Sequence, residues 1–138
     1  MTVAAADGTK KIAWENNVRT YVPSMVASDG HLFAVMDAGV AVCFDAATGD
    51  EVWKGRLAGT FSSSPILVGD RIYATNEDGT TFVYRASPKE FELLATNDLG
   101  DSVFSTPVIC GSRIYLRSAF MENGTRQEYL YCLGSKDQ

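Results

Sequence analysis

An all-β fold built from repeated sheets of four short antiparallel strands is predicted by three features of this sequence. Pro23, Pro65 and Pro107 recur at an interval of 42 residues. After each proline come a short apolar run, a turn containing Gly (Asp29-Gly30, Gly69-Asp70, Gly111-Ser112) and a second apolar run, which is the pattern of a hairpin. Finally, no stretch of a dozen residues keeps apolar side chains at i, i+3, i+4 and i+7, and Gly or Pro interrupts nearly every helical candidate. Four short strands at such a period are the signature of a β-propeller blade.

The elements follow in order. Residues 1–20 end a blade with one or two strands around Ile12-Ala13-Trp14-Glu15. Residues 21–59 make a full blade: MVAS, LFAV, a turn at Asp37-Ala38-Gly39, then VAVCF and EVWKGRL. Residues 60–101 repeat it with ILV, IYAT, a turn at Glu77-Asp78-Gly79, TFVYR and FELLATN. Residues 102–138 supply three strands only, VIC, IYLR and YLYCL, with a longer turn, MENGTRQ, before the last. Val40–Phe44 is apolar on both faces, as expected of a strand packed between neighbouring sheets. About three blades fall short of the roughly four to eight that close a ring. The chain is therefore expected to be a partial propeller, or a ring completed by self-association in which Ile12–Glu15 of one copy joins the last blade of another.

Charge narrows the partners. The formal net charge is −5 and no run of Lys or Arg occurs, which excludes nucleic acid and anionic membrane surfaces. No window has the apolar length for membrane insertion, and MTVAAADGTKK lacks the features of a signal peptide. Cys43, Cys110 and Cys132 form no CxxC pair and read as free thiols.

One phrase occurs twice. Cys43-x-Asp45-x-x-Thr48-Gly49-x-x-x-Trp53 has an earlier, shorter version in Ala5-x-Asp7-Gly8-Thr9-Lys10-Lys11-x-x-Trp14, and YRASPKEFELL is an eroded third copy without Thr-Gly or Trp. The phrase resembles the tryptophan-docking motif of the PQQ-like propeller repeat family, which includes quinoprotein dehydrogenases and BamB-like scaffolds. The ending, from ATNDLGDSVFSTPVICGS to YLYCLG, is similar to the closing blade of such proteins. The residues themselves read as structural: Asp45 bonds turn amides, Thr48-Gly49 makes a tight turn with positive φ, and Trp53 is delivered onto the adjacent blade. Asp7 and Trp14 take the same roles in the first copy, and Pro23, Pro65 and Pro107 mark strand entries.

No catalytic constellation emerges. The aspartates sit beside Gly or at strand ends, as turn formers do, and His31 has no second His or poised nucleophile nearby in sequence. Ser62, Ser63, Ser64, Ser105 and Thr106 lie on the inter-blade crossings, where they are expected to face the central channel and a ligand there. The resemblance implies a quinone held with calcium in the dehydrogenases, whose vicinal Cys-Cys pair is missing here, so neither cofactor nor metal is expected. The function expected is that of a non-enzymatic scaffold binding a protein partner, outside the cytoplasm as the resemblance implies. The alternatives are the C-terminal part of a PQQ-type dehydrogenase with its cofactor site elsewhere, or a ligand- or carbohydrate-binding propeller.

Overall fold

The computed structural model describes residues 1–4, 8, 9 and 11–134. Thirteen strands and no helix occur among them. Strands β1 (Thr2–Ala4) and β2 (Ile12–Glu15) pair as a two-stranded sheet. The second sheet is β3 (Met25–Ser28), β4 (His31–Met36), β5 (Val40–Asp45) and β6 (Glu51–Arg56), and the third is β7 (Ile66–Val68), β8 (Arg71–Thr75), β9 (Thr80–Arg85) and β10 (Leu93–Asp98). The last sheet has three strands, β11 (Val108–Cys110), β12 (Arg113–Glu122) and β13 (Thr125–Leu133). Every pairing is antiparallel between consecutive strands, so each sheet is a meander. These are propeller blades in an open stack, called here the N-terminal sheet and blades one to three.

Turn chemistry closes the hairpins. Asp29 (φ 46°) and Gly30 (φ 74°) are both left-handed, as a two-residue type I′ hairpin requires, and Asp tolerates that region better than most residues. The same geometry corrects one expectation. MENGTRQ is not a longer turn: Asn123 (φ 52°) and Gly124 (φ 74°) form a tight two-residue turn, and the flanking residues pair as Met121 with Arg126 and Glu122 with Thr125. An Asn-Gly pair suits such a turn so well that both strands run on to meet it.

Successive sheets are tied by their crossings. Leu57 N–H donates to Gly39 O (2.8 Å) and Phe61 N–H to Asp37 O (2.9 Å), while in the next blade Leu99 N–H donates to Gly79 O (3.0 Å) and Val103 N–H to Glu77 O (2.9 Å). A side chain on Gly39 would meet the carbonyls of Leu57 and Gly59 at 2.7 Å, so glycine permits this close approach. Asn76 donates through Nδ2 to Ala58 O (3.1 Å), and Ser118, one 42-residue period later, donates through Oγ to Leu99 O (3.0 Å). Neither pairing was visible in the sequence, although the shared period was a signal for it. The principal core lies between blades one and two, where Phe33, Val35, Trp53, Leu57, Phe61, Ile72, Phe82 and Tyr84 are buried together.

Candidate functional site

Three sheets share one irregularity. In the N-terminal sheet Val3 pairs with Trp14 and Ala4 with Ile12, so Ala13 is an extra residue. In blade one Cys43 pairs with Trp53 and Phe44 with Glu51, leaving Val52 extra. In blade two Val83 pairs with Ala95 and Tyr84 with Leu93, leaving Leu94 extra. Trp14, Trp53 and Ala95 therefore occupy the same place, immediately after a β-bulge that redirects the strand.

At the first junction the indole of Trp14 crosses to blade one. Its Nε1–H donates to Ala46 O (2.9 Å), its ring lies 6.4 Å from that of Phe44, and Gly49 lies so close beneath it that any side chain there would run into the ring. The turn that receives it is built as its residue types require. Ala47 and Thr48 N–H donate to Asp45 Oδ1 (2.8 and 3.0 Å), and Gly49 takes φ 80°. The amides of Thr48 and then Ala47 hold the Asp45 carboxyl below its ordinary range. Asp7 lies outside the described residues.

Trp53 repeats this at the second junction. Its Nε1–H donates to Ser87 O (2.7 Å), and its ring meets Phe33, Tyr84 and Phe91 at centroid distances of 6.0, 6.4 and 5.6 Å. Phe91 comes back from the β9–β10 loop and lies directly over Gly55. Burial, with the Asp45 carboxylate as a lesser cause, pushes the Cys43 thiol in this core up to about 11.

The third junction is different. Alternation along β10 puts Ala95, Asn97 and Leu99 on its blade-three face, where β6 has Trp53, Gly55 and Leu57. With Ala95 at this place, no indole is delivered. A cavity of about 340 Å³ lies between β10 and the last blade, with Leu99, Ile114, Leu116 and Leu133 among its walls.

The prolines and hydroxyls of the crossings are structural in their contacts. Pro23, Pro65 and Pro107 are buried. Ser24 N–H donates to Ser64 Oγ and Ser64 N–H to Thr106 Oγ1 (both 2.9 Å), linking the inner strands of successive blades. Ser62 Oγ bonds Glu77, and Ser105 Oγ donates to Arg117 O (3.0 Å). Ser63 departs from the expectation of a channel-facing group: it is 1% exposed and its hydroxyl is used by Thr75 O (2.7 Å).

The last blade turns its other face to solvent. Val108, Met121 and Leu130 are 60%, 59% and 73% exposed, and β12 and β13 place Arg117 on that face beside Leu130. Cys132, also exposed, accepts a hydrogen bond from Arg113 (3.7 Å), and this bond followed by one from Tyr115 lowers its thiol below the ordinary value. Among the described residues no group of three His, Cys, Asp or Glu is gathered to hold a metal ion.

The fold is shared with solved structures. BamB from Moraxella catarrhalis superposes with a TM-score of 0.65 at 16% identity over 85% of this chain and 42% of that one. The computationally designed Ika8 protein gives 0.64 at 13% identity, covering 88% of this chain and 37% of its own. A europium-containing methanol dehydrogenase gives 0.56 at 18% identity, covering 65% and 20%. This chain thus spans less than half the length of each. No curated protein matches it. A family model described as outer membrane protein assembly factor BamB matches residues 1–89, and with the docking turn and its indoles inside that span, the chain belongs to this PQQ-like, BamB-type propeller family.

Proposed function

We propose that the chain is a non-enzymatic protein-interaction scaffold whose contact surface is the outward face of blade three. The observation that carries this is the exposure of Val108, Met121 and Leu130 on one sheet face, interleaved with the ion pairs of Arg117 and Arg126 to Glu128, a mixed apolar and charged surface of the kind protein partners use. In this reading the blades run 21–59, 60–101 and 102–138, preceded by the end of a blade in 1–20. Trp14 and Trp53 fasten them. Asp45, Thr48, Gly49 and Asp7 shape the docking turns, and the three prolines set the strand entries. The partner is a protein, either a second copy or a further blade bearing a complementary apolar face. Membership of a family described by outer membrane protein assembly supports a working place outside the cytoplasm.

Light scattering with chemical cross-linking tests the reading. The purified chain is expected to associate at micromolar concentration, and Leu130→Asp to abolish association while the β-sheet circular dichroism is retained. A monomer that captures no partner through this face would overturn it. The similarity to a methanol dehydrogenase motivates a second arm. Adding PQQ and calcium is expected to leave tryptophan fluorescence without a saturable change, and a saturable change would favour a quinoprotein segment instead.

A further inference from the structure

We propose that the gap at the third junction is a binding site for a small, neutral aromatic molecule with a ring N–H, of the indole class. The inference is independent of the scaffold reading, because it concerns the opposite face of the last blade.

The junctions themselves supply the argument. Between blades one and two, the space between facing sheets is filled by two aromatic rings, Trp53 from the donor strand and Phe91 from the acceptor loop. Between blades two and three Ala95 stands at the donor position, and a cavity of about 340 Å³, which Ala95 does not line, lies between Tyr73, Asn97 and Leu99 of blade two and Ile114, Leu116 and Leu133 of blade three. That volume falls in the range of small-molecule pockets, about 300–1,000 Å³, and exceeds the roughly 150 Å³ that holds a benzene ring in an engineered apolar cavity.

Its lining matches a flat apolar ligand. Leu116, 3% exposed, closes the floor, and Ile114, Leu133 and Tyr73 form walls. Asn97 is exposed and marks the mouth, and the hydroxyl of Thr81, also on the lining, is engaged with that of Thr75. The Asn97 side-chain oxygen can accept the ring N–H, the task performed for Trp14 and Trp53 by the carbonyls of Ala46 and Ser87. The apolar walls disfavour an aromatic anion, whose charge they would strip of water.

Titration with indole, followed by ligand-detected NMR and by amide shifts of the labelled chain, tests the site. Saturable binding is expected with a Kd of about 1 mM or tighter. The shifts should centre on Ile114, Leu116 and Leu133 rather than on Trp14 or Trp53. Indole-3-acetate should bind at least about tenfold more weakly, a factor that partial desolvation of its carboxylate can supply. Leu116→Trp, which plugs the floor, should abolish binding. If that variant fails to fold, Asn97→Phe covers the mouth from an exposed position and should abolish binding as well. Absence of saturation, equal affinity for the anion, or unchanged affinity in a folded plug variant would each overturn the proposal.

Discussion

The second and third junctions face each other across one blade and are built from equivalent strands, yet one is filled and the other is hollow. At the second, β6 presents Trp53, Gly55 and Leu57 to a blade that answers with Phe91 and Tyr84. At the third, β10 presents Ala95, Asn97 and Leu99 to a blade that answers with Ile114 and Leu116. The crossings of both junctions are bonded alike, through Leu57 and Leu99 amides and through Asn76 and Ser118. The difference teaches that polar ties hold neighbouring blades in place, while aromatic side chains decide whether the space between them closes.

Four measurements break or sharpen this contrast. The largest effect is expected from Trp53→Ala, about 3–5 kcal/mol lost in urea unfolding, because a buried ring and its hydrogen bond go together. Leu116→Ala, beside an existing cavity, should cost about 2 kcal/mol, at the low end for a buried Leu. Equal costs would erase the distinction between the junctions. Next comes Gly55→Ala, which drives a methyl into the Phe91 ring and should cost about 1–3 kcal/mol. Asn97→Ala, the same place one blade on, should stay within about 0.5 kcal/mol by the same assay.

A gain of about 1 kcal/mol is expected from Tyr84→Phe in thermal unfolding. The buried Tyr84 hydroxyl has no hydrogen-bond partner among the described residues, and its removal relieves that desolvation while leaving the ring against Trp53 and Phe91. The smallest effect is on reactivity rather than stability. Iodoacetamide labelling read by mass spectrometry across a rising pH series should modify Cys132 at lower pH than an unperturbed thiol, since a lowered thiol pKa means thiolate appears earlier. Cys43, buried in the filled junction with its thiol raised to about 11, should stay unmodified through neutral and mildly alkaline pH. Early labelling of Cys43 would show that the second junction opens readily.

The blade pattern was legible because prolines, Gly turns and apolar runs act within a few residues of each other. The docking turn was legible for the same reason, as the hydrogen bonds of Asp45 reach only to Ala47 and Thr48. What escaped the sequence were contacts across blades. Phe91 over Gly55 joins residues that share no local pattern, and Ser63 reads like its neighbours until Thr75 O takes its hydroxyl in the interior. The turn at Asn123-Gly124 escaped for another reason: the polar residues around it look like loop, whereas they are the exposed ends of two long strands. The hollow third junction was half legible, since the missing Trp is plain in the sequence but the cavity between Tyr73, Asn97, Ile114 and Leu116 depends on which side chains face each other across blades.

The bulge before Trp14, Trp53 and Ala95 separates address from cargo. Blade two keeps the register slip at Leu94 although it delivers a methyl group instead of an indole. Any side chain written at position 95 is therefore carried to the same border, with the backbone already aimed. A protein engineer could treat that position as an exchangeable cartridge, choosing ring, charge or photoreactive group without redesigning the sheet that presents it.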